Sequence, residues 1–75
     1  MRLSELKIGQ KARVITLGHG DKAYRQKLAA MGILPGTCFV LKRIAPLGDP
    51  IEIEVRGFSL TLRKVEADNL QIEGI

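Results

Sequence analysis

Tyr24-Arg-Gln-Lys-Leu28-Ala-Ala-Met31-Gly32-Ile33-Leu34-Pro35-Gly36 is the stretch whose reading decides the fold. It reads as the end of a helix, a glycine stop, and a proline–glycine turn into a strand. Tyr24, Leu28 and Met31 recur at i, i+4 and i+7, which places them on one helical face. Asp21 is the expected N-cap, because its carboxylate accepts a bond from a free backbone N–H of the first turn. Gly32 falls where the chain leaves the helix through a left-handed conformation, which costs a residue with a Cβ ~1–2 kcal/mol. With Gly32 at C′, Ile33 is C″ and is expected to touch Leu28 at C3. Pro35 and Gly36 suit the two centre positions of a type II turn, fixed φ first and positive φ second.

Outward from this segment the chain reads as short strands. Leu3, Leu6 and Ile8 form an amphipathic entry in which Ser4 caps a single turn and Gly9 reverses the chain. Residues 10–17 read as a first strand, with Ala12, Val14 and Thr16 on one side and Arg13, Ile15 and Leu17 on the other. The imperfect alternation predicts partial cover on both faces. Gly18-His19-Gly20 reads as a hinge-like loop; it lacks the further glycines and the Gly-Lys-Ser/Thr of a phosphate cradle.

Residues 37–45 begin nearly solid apolar (Cys38, Phe39, Val40, Leu41) and turn basic (Lys42, Arg43), a buried strand emerging into solvent. Pro46-Leu47-Gly48-Asp49-Pro50 closes it. Ile51, Ile53 and Val55 then point inward, Gly57 turns the chain, and Phe58, Leu60 and Leu62 repeat the alternation. Two such runs around one glycine make a hairpin. Residues 65–69 are expected to form a helical turn, and Leu70, Ile72 and Ile75 a last strand. The sum is one domain, residues 1–75, mainly β: a small, closed or nearly closed SH3-like antiparallel barrel of about five strands. One α-helix is inserted between strands one and two.

Composition narrows the function classes. The chain has 75 residues and a net charge of +4. All twelve Lys and Arg precede Glu66, against five acids there, a net +7, whereas the last ten residues carry Glu66, Asp68 and Glu73 and no cation. A basic body with an acidic end points to an acidic partner surface, a headgroup layer or nucleic acid; the plainer reading is a solvated surface. Tyr24, Phe39 and Phe58 are the only aromatic residues. They are assigned to the core, which leaves no stacking rings for single strands, so nucleic acid is not an expected partner. No apolar run reaches the ~18 residues of a membrane span, and no secretory leader is evident, which places the chain in the cytoplasm without direct membrane insertion.

Candidate sites are few. Catalysis needs a nucleophile, a base and an orienting group, and one His with one Cys and no motif does not suggest them. Cys38, in an apolar strand, reads as a buried inert thiol. A tight transition-metal site wants three or four ligands; His19, Glu52 and Glu54 are the only weak candidates, for a loosely held divalent metal. The plainer reading makes His19 a loop residue and pairs both glutamates with neighbouring cations. No tightly bound cofactor is expected. The preferred reading is a binding module. Tyr24, Arg25, Met31 and Leu34 form an amphipathic edge near the turn, Lys27 extends its basic side, and Leu34 and Leu47 lie in turns rather than in a periodic core. The plainer reading is that Tyr24, Leu28 and Met31 cover the barrel end. A small barrel with a helix also offers a groove suited to an extended peptide or a partner's edge strand.

Leu3-x-x-Leu6-x-x-Gly9, Arg25-x-x-Leu28-x-x-Met31-Gly32-Ile33-x-Pro35-Gly36, Ala45-Pro46-Leu47-Gly48-Asp49-Pro50 and Leu62-Arg63 with Glu66-Ala67 together resemble the FeoA family, small cytosolic accessory proteins of bacterial ferrous iron transport. The likeness runs along essentially the whole chain and extends to the C-terminal SH3-like domain of DtxR-type repressors. It implies a non-enzymatic accessory protein that binds the cytosolic GTPase part of the FeoB transporter and modulates it, recruited to the inner face of the membrane by that partner. The alternative it leaves is a small domain that responds to Fe²⁺ or another divalent metal and acts on another partner. The shared positions are mostly Gly, Pro and Leu, which specify a fold and carry no catalytic set.

Overall fold

The computed structural model describes residues 1–18 and 21–75. A 3-10 turn, Leu3–Glu5, leads into β1 (Lys11–Thr16), α1 (Lys22–Ala30), β2 (Cys38–Ile44), β3 (Ile51–Val55), β4 (Phe58–Leu62), α2 (Lys64–Asp68) and β5 (Gln71–Gly74). The strands form one antiparallel sheet in the order β4-β3-β2-β1-β5. This is the expected mainly-β, SH3-like arrangement, with α1 between β1 and β2. The hydrogen-bonded ladder does not close on itself: β4 and β5 are its two ends.

Alternation, rather than apolar content, decides which side chains enter the core. Ala12 and Val14 of β1, Phe39 and Leu41 of β2, and Ile51, Ile53 and Val55 of β3 are buried, together with Leu3, Leu28, Ile33, Leu62, Leu70 and Ile72. In β1 one face is covered rather than both; Thr16 turns outward because the register with β5 shifts between Val14 and Thr16. The apolar opening of β2 is likewise one-sided, and Cys38 is exposed, not buried. Two aromatic residues assigned to the core lie outside it. Phe58 is 73% exposed and Tyr24 is 37% exposed, whereas Phe39 is buried. Phe58 begins β4 beyond the edge of the core; two residues on, Leu60 is half-buried, and Leu62 is fully buried. Ile8 and Ile75 are also largely exposed.

The capping of the first short helical turn is not the expected one. Glu5, not Ser4, caps the first turn, accepting the Arg2 backbone N–H at 3.2 Å. In α2 the Glu66 carboxylate plays the same part, accepting the Arg63 N–H at 2.9 Å. Both are carboxylates three residues on that reach back to the cap N–H, as in a capping box.

The β3–β4 hairpin turns through Arg56 and Gly57, with φ of 53° and 83°. Two successive positive values in a two-residue loop define a type I′ turn, whose twist matches that of the strands and which favours Asn-Gly. Arginine in the left-handed region is strained by its Cβ. Arg56→Asn is therefore expected to raise unfolding free energy by about 0.5–1 kcal/mol. A urea titration checks this, and an unchanged or lower midpoint contradicts it.

Candidate interaction surface

α1 starts and stops as its sequence dictates. The Asp21 carboxylate accepts the Ala23 N–H at 3.3 Å. At the other end Ile33 N–H donates to Leu28 O at 2.9 Å and Gly32 N–H to Ala29 O at 3.0 Å. That pair of bonds is a Schellman stop, with Gly32 at φ 89° and Leu28 and Ile33 both buried in one core.

The turn that follows is bolted to the sheet. Thr37 N–H donates to Leu34 O at 2.9 Å, closing the turn around Pro35 and Gly36. Gly36 N–H donates to Val14 O at 2.7 Å and Val14 N–H to Thr37 O at 2.8 Å. The Thr37 hydroxyl accepts the Leu34 N–H at 3.0 Å and donates to Gly32 O at 3.4 Å. Thr37, a buried polar residue, is the organiser that sequence reasoning missed; its signal is a hydroxyl directly after Pro-Gly, where the side chain can return to the turn's own backbone. The result is a rigid mount for Leu34, whose side chain stays 45% exposed.

Beside this mount lies a groove of about 320 Å³ between the end of α1 and the β3–β4 hairpin. Met31 and Gly32 line one side and Val55, Phe58, Ser59 and Leu60 the other, with Arg56 beside them. It contains no carboxylate. Met31 and Leu60 pack against the core from its floor, while Phe58 stands out into solvent.

The sequence candidates divide between two ends of the molecule. Tyr24, Arg25, Met31 and Leu34 belong to α1 and its stop. Leu47, 95% exposed, lies in the β2–β3 connection past Ile44, whereas Leu34 precedes Cys38. The whole of β2, roughly 20 Å of extended chain, separates them. Lys27 reaches from α1 to α2, with Nζ 2.7 Å from Glu66 Oε2. Its charge is committed to holding two elements together. Glu66 is only 2% exposed. The Lys27 ammonium first, and the Arg63 N–H second, hold its carboxyl below the usual range against the opposing effect of burial. The Oε2 contact is an ion pair without an aligned hydrogen bond.

The acidic end therefore folds onto the basic body rather than standing apart from it. Glu73 of β5 pairs with Arg13 of β1 at 3.1 Å, and exposed Cys38 lies opposite Arg13 on the other side. Cys38 first, then Glu73, hold the Arg13 pKa above its ordinary value. Of the metal candidates, the two described glutamates each lie beside a cation. Glu54 lies 3.6 Å from Lys42, Glu52 is paired in register with Arg43, and His19 lies outside the described residues. Among the described residues no group of three His, Cys, Asp or Glu is placed to hold an ion. No helix among them is long and apolar enough to cross a membrane.

A five-stranded SH3-like sheet with a helix between β1 and β2, and a groove beside the end of that helix, defines a small domain of the SH3-like class. The FeoA domain model matches residues 1–74, and the chain belongs to the FeoA family. The Chlorobium tepidum FeoA protein is 39% identical with a TM-score of 0.90, over 100% of this chain and 70% of that one. The FeoA of Stenotrophomonas maltophilia, solved with zinc and described as an SH3 domain protein, is 26% identical with a TM-score of 0.80, over 97% of this chain and 89% of that one. A Porphyromonas gingivalis protein, an Fe(2+) transport protein A/FeoB fusion, is 30% identical over 73 residues, which are 97% of this chain and 8% of that protein. The chain thus spans a small fraction of that curated relative. At the level of fold alone the likeness extends to IdeR of T. acidophilum, with a TM-score of 0.89 at 19% identity.

Proposed function

We propose that this protein is a non-enzymatic regulator of ferrous iron uptake. It binds the cytosolic GTPase part of FeoB and modulates its activity at the inner face of the membrane. The observation that carries the reading is the P. gingivalis relative, in which a homologue of this whole chain and FeoB are one polypeptide. Fusion supplies a high effective concentration, which rewards even a weak contact. The rigid Leu34 mount and the apolar groove beside it support a docking role, with Tyr24, Arg25 and Met31 completing that surface.

The test is calorimetric titration into the soluble GTPase portion of FeoB, with GDP and with a non-hydrolysable GTP analogue. Heat of binding in at least one nucleotide state is expected, and none in either overturns the reading. Leu34→Asp, on an exposed position, is expected to weaken binding at least tenfold with the fold intact. Leu47→Asp, at the other end of β2, is expected to bind within twofold of wild type. Equal losses in both variants contradict this placement of the surface.

The zinc complex of the S. maltophilia relative favours a second reading, a divalent-metal-responsive domain acting on another partner. Anaerobic Fe²⁺ titration of the protein alone separates the two. Heat from Fe²⁺ without FeoB binding supports the second and removes the first.

A further inference from the structure

We propose that the open edge of β4 is a strand-pairing site. Its occupant is an extended partner segment in which an alternating apolar run is flanked by carboxylates. The inference rests on the partner reading above and names the surface that partner uses. β4 is the last strand of the sheet, paired on one side to β3 in the register Val55↔Phe58 through Ile51↔Leu62. Across a two-residue turn the flanking residues Val55 and Phe58 exchange hydrogen bonds, so Phe58, Leu60 and Leu62 direct their backbone groups at β3. The N–H and C=O of Ser59 and Thr61 face the other way. Among the described residues, neither has a hydrogen-bonding partner beyond β3. The opposite end of the sheet is dressed differently: Ile72 of β5 donates to Met1 O at 3.3 Å.

An uncovered edge normally carries lysine, proline or an inward charge that discourages pairing. Phe58-Ser59-Leu60-Thr61-Leu62 carries none of these. The apolar groove lies along its Phe58–Leu60 face, with room for the alternate side chains of an incoming strand. Strand addition of this kind draws affinity from main-chain bonds and selectivity from such side-chain pockets.

Charge selects the occupant. Arg56 precedes the strand and Arg63-Lys64 follow it, with no acid among residues 56–64. A second copy paired antiparallel about Leu60 places Arg56 of each chain opposite Lys64 of the other, and opposed like charges are destabilising. Carboxylates at both ends of a foreign strand meet these cations instead. Asp49 accepts the Lys64 backbone N–H at 3.0 Å, and among the described residues the Lys64 ammonium is in no ion pair. Glu52 and Glu54 of β3 stand opposite Thr61 and Ser59 in the β3–β4 register, and neither glutamate lines the groove.

The test is amide hydrogen exchange of the full chain, alone and with the soluble GTPase portion of FeoB. The Ser59 and Thr61 amides are expected to exchange fast when free and at least tenfold slower in the complex. Thr61→Pro removes an outward donor, a substitution edge strands tolerate, and is expected to weaken binding at least tenfold. Arg56→Asn combined with Lys64→Gln keeps the fold, because Asn suits the turn, and is expected to weaken binding at least fivefold at low salt. Binding with unchanged exchange at Ser59 and Thr61 overturns the edge while the partner reading stands. Protection that rises with the protein's own concentration assigns the edge to a second copy and overturns the acidic occupant. Absence of any binding overturns both.

Discussion

Gly18→Ala is expected to lower unfolding free energy by at least about 3 kcal/mol. Two effects coincide there. Gly18 has φ 79°, and a Cβ built on it would lie 1.8 Å from the Asn69 backbone oxygen at the end of α2. The obstacle is main chain, so no rotamer change relieves it. A chain of 75 residues has a total stability on the order of 4–11 kcal/mol, and this loss leaves a large unfolded population. Gly32→Ala is the control. Gly32 has φ 89°, but its Cβ would meet nothing within 4 Å. Only the conformational cost of ~1–2 kcal/mol then applies. Urea midpoints for the two variants check the comparison; equal losses contradict the close approach at Asn69.

The second large effect is expected at Glu66, where Glu66→Ala should cost about 2–3 kcal/mol. The substitution removes the cap on the Arg63 N–H and the partner of Lys27 together, which unties α1 from α2. The same carboxylate gives the protein an acid-sensitive component. Its folded pKa is lowered from an ordinary value of 4.5, so its stabilisation is fully present above that value. It is lost as pH falls through the folded pKa, where the native carboxylate takes up its proton. Glu66→Gln keeps the shape and lacks this component. Stability curves for the two proteins should converge below pH 4.5 and separate by about 1–2 kcal/mol above it. Parallel curves through that range would show that Glu66 carries no pH-linked stabilisation. Lys27→Met tests the pair from the other side. It strands a buried carboxylate and should move the acid transition to higher pH.

Much of the fold was legible because it is written in local chemistry. Asp21, Gly32 and Pro35-Gly36 act within a few residues of themselves, through caps and φ preferences that need no distant partner. The alternation of Ile51, Ile53 and Val55 before Gly57 identifies a hairpin for the same reason. Candidate sites were less legible. Leu34 and Leu47 look alike as apolar residues in turns, and nothing local shows that β2 separates them. Lys27 looks like one more surface cation, since its partner Glu66 is distant in sequence. Cys38 and Phe58 sit in apolar runs that invite burial, yet a strand has two faces, and position relative to the core decides which side chain enters it.

By itself, then, the sequence determined the elements, their order, the stop of α1 and the family likeness, because these depend on short-range sterics and hydrogen bonding. The tertiary structure alone decided what is exposed and what is paired. It brought Gly18 against Asn69, committed Lys27 to Glu66, set Met31 beside Phe58 and Leu60, and left the Ser59 and Thr61 edge open. Those outcomes arise from sheet register and strand order. They depend on which distant segments meet, a property of the whole chain's packing that no local preference encodes.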